Sequence, residues 1–356
     1  MIPLYKPYMP KLPELNSIIN SGDLAFGKHG IEFENILKQF IGNDNLIVTN
    51  SYSNALNIAL ASLGIGYGDE VLVSPMACLV SLQPLVSLGL KVRWLDVDPN
   101  YGTVSPESVK SRITKDTKAI IHNHFCGYVG YIDEVNSIAK QFGIPVIDDC
   151  IEAFGSEYKG KRMGNVKTDV TVFSFNAVRI PNTIEGGAVV FNNKVLYKKS
   201  KIIRDNGIDR SNFRDENGEI NPYCDITTIG YNATMSNVNA YIGIKQMEIV
   251  NELLLKQRAN AYSWDKVFCN NSKNRSISRK DTNPNYWVYG LLSENKMETL
   301  LRFREHGFYS SSVHINNNIY SIFKEKAYLP GVQEFSKKFL AIPSGWWMGD
   351  NDGKTN

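Results

Sequence analysis

Between residues 68 and 150 the sequence alternates short Val- and Ile-rich runs with helical runs. In order these are EVLVSP (70–75), CLVSLQPLVSLG (78–89), KVRWLDVD (91–98), residues 105–113, residues 117–122, residues 131–142 and IPVIDDC (144–150). Strands separated by helices of about three turns make βαβ crossovers, so consecutive strands lie parallel. These strands are apolar on both sides of the pleat, which predicts a sheet covered on both faces. The pattern restricts the chain to an α/β fold built on a large, doubly wound, mostly parallel sheet. Ligands of such sheets sit beyond the carboxyl ends of the strands. Residues 50–54, 75–78, 124–127, 148–152 and 174–179 are therefore expected to face one crevice.

The flanks extend this plan. Residues 1–30 read as an irregular arm, 31–42 as a helix and 46–49 as a strand. The strand runs into Asn50-Ser51-Tyr52-Ser53-Asn54 and then the helical run ALNIALASLGI. A strand, a polar turn and a helix start offer free backbone N–H groups to a phosphate. The same residues serve as well for a plain Ser or Asn helix cap, and the local sequence leaves both readings open. Past residue 190 the pattern becomes a basic helix (192–204), a polar, turn-rich stretch (205–225) and one or two long helices (235–268). An exposed loop (270–285), a strand (286–293), a helix (297–307) and a strand (309–315) follow. This predicts a large domain over residues 1–235 and a smaller C-terminal α/β domain over 236–356.

Composition excludes several classes. A hydrophobic content of 43%, a charged content of 21% and a net charge of +3 are ordinary for a globular protein and offer nothing to nucleic acid or membrane. No run approaches ~18 apolar residues, and the first residues lack the basic-then-apolar order of a signal peptide. The five cysteines have no metal-type spacing, so reduced thiols in a cytoplasmic protein and no metal site are expected.

The chemistry concentrates in residues 172–190, VFSFNAVRIPNTIEGGAVV: a strand, an irregular loop and a second strand from Gly187. The segment resembles the cofactor-lysine loop of the DegT/DnrJ/EryC1/StrS sugar aminotransferases, roughly SFHxxKxxxxGEGG. Ser174, Phe175, Glu185, Gly186 and Gly187 fall in register; Asn176 takes the His slot and Arg179 the Lys slot. The resemblance covers nearly the whole chain. Ser51-Tyr52-Ser53 stands for the SGT that cradles the phosphate of pyridoxal 5'-phosphate (PLP), and His124-Phe125-Cys126-Gly127 for HxxG. Asp149 stands for the acid that keeps the cofactor's pyridine nitrogen protonated, and Glu152 for the Gln or His near its ring oxygen. Asn232, in Gly230-Tyr231-Asn232, matches the residue that reaches the neighbouring subunit's phosphate, and His314 resembles a sugar-side histidine. Leu79 takes a slot that commonly carries an aromatic residue over the cofactor ring.

The resemblance implies a fold-type-I, PLP-dependent transferase-like fold, a homodimer and a nucleotide-linked keto-deoxy sugar as substrate, with glutamate as amino donor, in polysaccharide or other sugar biosynthesis. It implies cofactor contacts from Ser51, Tyr52, Ser53, Asp149, Glu152, Ser174, Asn176 and Asn232, and substrate contacts from Glu185 and His314. Arg179 alters the chemistry. The family's lysine forms a Schiff base and moves a proton; a guanidinium stays protonated, with a pKa above ~12, and its nitrogens are delocalised. PLP or its amine form (PMP) is therefore expected to bind non-covalently if at all. The inherited aminotransferase role, a lysine-independent dehydratase-like enzyme and a non-catalytic nucleotide-sugar or PLP/PMP-binding homologue all remain open. Tyr52, Leu79, Asn176, Ile184 and Thr234 depart from the pattern together, which favours natural divergence over one engineered change.

Overall fold

A computed structural model describes residues 1–269, 271 and 273–349. Among these, strands β1 (Leu46–Thr49), β2 (Glu70–Val73), β3 (Lys91–Trp94), β4 (Thr117–Asn123), β5 (Val146–Cys150), β6 (Glu157–Tyr158) and β7 (Lys161–Arg162) precede the central loop. Strands β8 (Val170–Ser174), β9 (Gly187–Phe191), β10 (Asn274–Ser276), β11 (Thr282–Asn283), β12 (Tyr289–Ser293) and β13 (Phe339–Ile342) complete the set. The large sheet has seven strands in the order β1-β9-β8-β5-β4-β2-β3. β8/β5, β5/β4, β4/β2 and β2/β3 are parallel. Only β9 runs against its neighbours β1 and β8. A loop, not a helix, leads from β8 to β9, and a chain that returns without a crossover helix has to pair antiparallel.

Helices cover the sheet as the apolar strands require. In the helix Tyr52–Ser62, Ala55, Leu56, Ile58, Ala59 and Leu60 are all fully buried. A helix apolar nearly all round belongs inside, between the sheet and its neighbours. The helix Ile132–Phe142 shows the surface alternative, burying Ile132, Val135 and Ala139 while Asp133 and Glu134 start its first turn, where the helix dipole favours them. A continuous apolar core runs from Ile47 and Ile121 of the large sheet to Trp287, Tyr289 and Leu340. The C-terminal sheet, in the order β10-β12-β13, thus shares its packing with the large one.

Several expected elements differ. The N-terminal arm contains the helix Leu15–Ser21 and is pinned to the molecule: the Tyr8 carbonyl accepts from Asn182 and Gln246, and Tyr5 stacks on Trp287. Within the expected loop 270–285, β10 pairs with β12 and β11 with β6; residues 270 and 272 lie outside the described residues. The strand expected over 286–293 begins at Tyr289. The strand expected over 309–315 is reduced to one bridge, Ser311 with Ala341. Val313 has a φ of 58°, a left-handed conformation that no extended strand carries past it. The long helical region divides into Asn237–Met247 and Val250–Phe268.

Candidate functional site

A cavity of about 500 Å³ opens beyond the carboxyl ends of β1, β5 and β8. That is within the usual range for a small-molecule site, about 300–1,000 Å³. Ser51, Tyr52, Ser53, Cys78, Ile151, Ser174, Asn176 and Arg179 reach it from the loops of the large sheet. Trp287, Tyr309, Ser311 and His314 close it from the C-terminal region, and Leu4 and Tyr5 from the N-terminal arm. The 124–127 segment is not among the lining residues. It sits one layer back, where Gly127, at φ 89°, lies so close to Asn285 that a Cβ would come within 2.2 Å of its Oδ1.

Arg179 is the charged centre of the wall. The turn after β8 delivers it, with the Arg179 N–H donating to the Asn176 carbonyl at 2.8 Å. Its side chain is nearly buried; the guanidinium lies over the Trp287 ring, 4.3 Å from the centroid, and Nη2 is 3.4 Å from Glu152 Oε1. Trp287 is fixed in turn, because Nε1 donates to the Val178 carbonyl and its backbone N–H to Asn285 Oδ1. Asn285 also donates to the carbonyls of Glu152 and Phe154, so one side chain ties the aromatic platform to the acid-bearing loop.

Glu152 is enclosed. Oε1 accepts from His314 Nε2 at 2.7 Å, and Oε2 accepts from the Cys126 N–H at 2.8 Å. Burial alone pushes the Glu152 carboxyl up, but His314, Arg179 and the Cys126 N–H outweigh it and hold the carboxyl below its ordinary range. In the same wall, the half-buried Cys78 thiol is pushed up to about 11 by burial and by the Glu152 charge, so it remains a thiol.

Asp149 is enclosed more completely. Tyr52 Oη donates to Oδ1 at 2.6 Å, Asn123 Nδ2 donates to Oδ2 at 2.6 Å, and the Ile151 N–H donates to Oδ1 at 3.1 Å. The carboxylate is 1% exposed, and burial pushes its carboxyl above the ordinary value. Burial, reinforced by Asp149, pushes the Tyr52 phenol well above its own, so it stays an O–H donor.

The remaining sequence-predicted residues divide. Ser51 Oγ accepts the Asn54 N–H at 3.1 Å, which is the helix-cap geometry. Ser174 Oγ accepts the Asn176 N–H, and Asn176 Nδ2 donates to Glu185; Ser174, Asn176 and Glu185 all line the cavity. Gly187 starts β9 hard against this turn, where a Cβ would lie 2.8 Å from the Ser51 carbonyl oxygen. Asn232 is exposed and outside the lining; its carbonyl accepts from Asn50 Nδ2. Leu79 is 38% exposed, and its neighbours Cys78 and Val80 line the cavity instead. Trp287, Tyr309 and Tyr5 were not anticipated. The sequence signal for Trp287 is the aromatic pair Tyr286-Trp287 within the expected strand 286–293.

A buried cluster of two histidines and one aspartate lies outside the cavity. His122 Nδ1 and His124 Nε2 approach Asp148 Oδ1 at 3.3 and 3.2 Å, all fully buried. The Gly130 N–H donates to His124 Nδ1, so in the neutral ring Nε2 carries the proton and points it at Asp148. That tautomer leaves Nε2 no lone pair for a metal ion.

The profile of the DegT/DnrJ/EryC1/StrS aminotransferase family matches residues 10–355. Over 261 residues the chain is 35% identical to the UDP-4-amino-4,6-dideoxy-N-acetyl-beta-L-altrosamine transaminase of Campylobacter jejuni, covering 72% of this chain and 66% of that protein. The alignment thus spans about two thirds of that relative's own length. The sugar aminotransferase CalS13 of Micromonospora echinospora superposes with a TM-score of 0.92 at 28% identity, covering 99% of this chain and 97% of that one. Spr1654 of Streptococcus pneumoniae, solved in PLP and PMP forms, shares the fold with a TM-score of 0.86 at 22% identity, over 99% of this chain and 95% and 94% of those chains. Sheet order and cavity position define a fold-type-I α/β protein of the PLP-dependent transferase type. The chain belongs to the DegT/DnrJ/EryC1/StrS aminotransferase family.

The family implies PLP, and the residues present do not fit it. Among the described residues, no lysine lines the cavity. The two acids that the resemblance assigns to the cofactor are not among its lining residues. Tyr52 stands in front of Asp149, and Arg179 with His314 in front of Glu152. A pyridinium needs a fixed anion with a free lone pair toward it, and here the Tyr52 phenol already donates to Asp149 Oδ1, Asn123 donates to Oδ2, and burial pushes the carboxyl above its ordinary value.

Proposed function

We propose that this protein is a sugar aminotransferase homologue that does not carry out lysine-based transamination and whose cavity takes a nucleotide-linked keto-deoxy sugar. The single observation that carries the reading is Arg179: a buried guanidinium paired with Glu152 and stacked on Trp287 stands where the reaction needs a deprotonated amine. What supports the ligand class is family membership and the Campylobacter relative, whose name specifies a UDP-linked 4-amino-4,6-dideoxy sugar. The chemistry of the wall agrees with a sugar nucleotide. Ser51, Ser53, Ser174, Ser311, Tyr309 and Glu185 offer hydroxyl and carboxylate partners to sugar hydroxyls, and Arg179 offers a cation to a diphosphate. Trp287 and Tyr5, stacked at 5.8 Å, add an aromatic face. Polysaccharide or related sugar biosynthesis, a homodimer and a cytoplasmic location belong to the same proposal. Among the described residues no helix is long and apolar enough to cross a membrane.

The test is calorimetric titration of the protein with UDP-linked 4-keto-6-deoxy hexoses and their 4-amino products, without PLP. One of them binds in a 1:1 ratio per chain. If no nucleotide sugar binds, the reading is wrong.

A further inference from the structure

The sequence puts a tyrosine where the family pattern has the central glycine of SGT, and the structure shows where that side chain goes. Tyr52 is the first residue of the helix Tyr52–Ser62, at the carboxyl end of β1, and is 3% exposed. Its side chain is one of those lining the cavity, and its hydroxyl lies 2.6 Å from Asp149 Oδ1 and 3.2 Å from Ser81 Oγ. We propose that Tyr52 is a permanent occupant of the cofactor-ring subsite: its phenol fills the space of the pyridine ring, satisfies Asp149 in the ring nitrogen's place, and so excludes PLP and PMP from this chain. The proposal goes beyond the preceding one and stands without it, since it concerns the cofactor side of the cavity whatever sugar binds beside it.

The hydrogen-bond chemistry is a like-for-like exchange. A pyridinium N–H and a phenol O–H are both single donors on a flat six-membered ring, and either satisfies one lone pair of a carboxylate. The phenol does so without a charge, which fits an acid that burial pushes toward neutrality. Asn123 and the Ile151 N–H hold the carboxyl from its other sides, so it cannot turn to a second ring without losing a buried bond. Removing the phenol leaves Asp149 with an unfilled lone pair facing new space, which is the arrangement a protonated ring requires.

PMP is the probe, because it lacks the aldehyde that would react with surface lysines. Equilibrium dialysis is done on the wild type, Tyr52→Gly and Tyr52→Phe, with circular dichroism and thermal melting to check the fold. The expected result is no saturable site in the wild type or Tyr52→Phe, which keeps the ring, and one site per chain in Tyr52→Gly, tighter by about tenfold or more. Saturable wild-type binding as tight as that of Tyr52→Gly overturns the proposal, as does equally tight binding by Tyr52→Phe. A folded Tyr52→Gly that gains no PMP also overturns it, since something other than the phenol then closes the subsite. Should Tyr52→Gly not fold, Tyr52→Ser takes its place under the same criteria. A failed sugar titration leaves these outcomes untouched, so the two proposals fail separately.

Discussion

Tyr52 and Asp149, 97 residues apart, share a 2.6 Å hydrogen bond in which the tyrosine lines the cavity and the acid does not. Arg179 and His314 make the matching barrier before Glu152. The two barriers come from different parts of the chain, so reversing one leaves the other.

From this follows the behaviour of Arg179→Lys. The variant restores an amine but leaves Tyr52 on Asp149, so it shows no turnover with PLP, glutamate and a keto-sugar nucleotide. A coupled glutamate-to-2-oxoglutarate assay measures it. Robust transamination by this single variant would show that the rest of the site is intact.

Arg179→Ala strips Glu152 of its guanidinium partner and uncovers Trp287. Breaking a buried pair costs about 3–5 kcal/mol. His314 and the Cys126 N–H remain on the carboxylate, so the loss is expected near about 3 kcal/mol in urea unfolding. A loss below about 1 kcal/mol would mean that the pair is not formed in solution.

Glu152 sets an acid limit on stability. Its folded carboxyl titrates below the ordinary value because His314, Arg179 and the Cys126 N–H outweigh burial. The unfolded carboxyl titrates near ~4.3. The group's contribution is therefore complete above about pH 5 and is lost as pH falls through the folded value. Urea midpoints of the wild type fall more steeply below about pH 4.3 than those of Glu152→Gln; parallel curves would contradict the pairing.

Ile184 sits at φ 70°, in the slot where the family pattern has glycine, and is half exposed. A left-handed L-residue costs roughly 1–2 kcal/mol, and glycine returns about 0.5–1 of that in chain entropy. Ile184→Gly should raise unfolding stability by about 0.5–1 kcal/mol. A destabilised variant would show that the isoleucine side chain holds the loop.

Much of this was legible in the sequence, for local reasons. Apolar runs such as Val71-Leu72-Val73 and Val146-Ile147 fix the parallel sheet, and the polar residues just past β1 and β8 fix where a ligand would enter. The rest depends on contacts distant in sequence. Trp287 reaches the cavity because residues 284–288 run as an irregular segment before β12, and Tyr5 because the arm folds back onto it. That Asp149 and Glu152 are hidden depends on the directions of Tyr52, Arg179 and His314, which no periodicity encodes. The tyrosine in the glycine slot marked a departure in the sequence, and only the fold shows that it ends on Asp149.

The most direct measurement is borohydride reduction of the wild-type protein after incubation with PLP, followed by intact mass and peptide mapping. No phosphopyridoxyl adduct is predicted within the cavity, and any labelling falls substoichiometrically on surface lysines. One adduct per chain on a residue at the cavity would contradict the account.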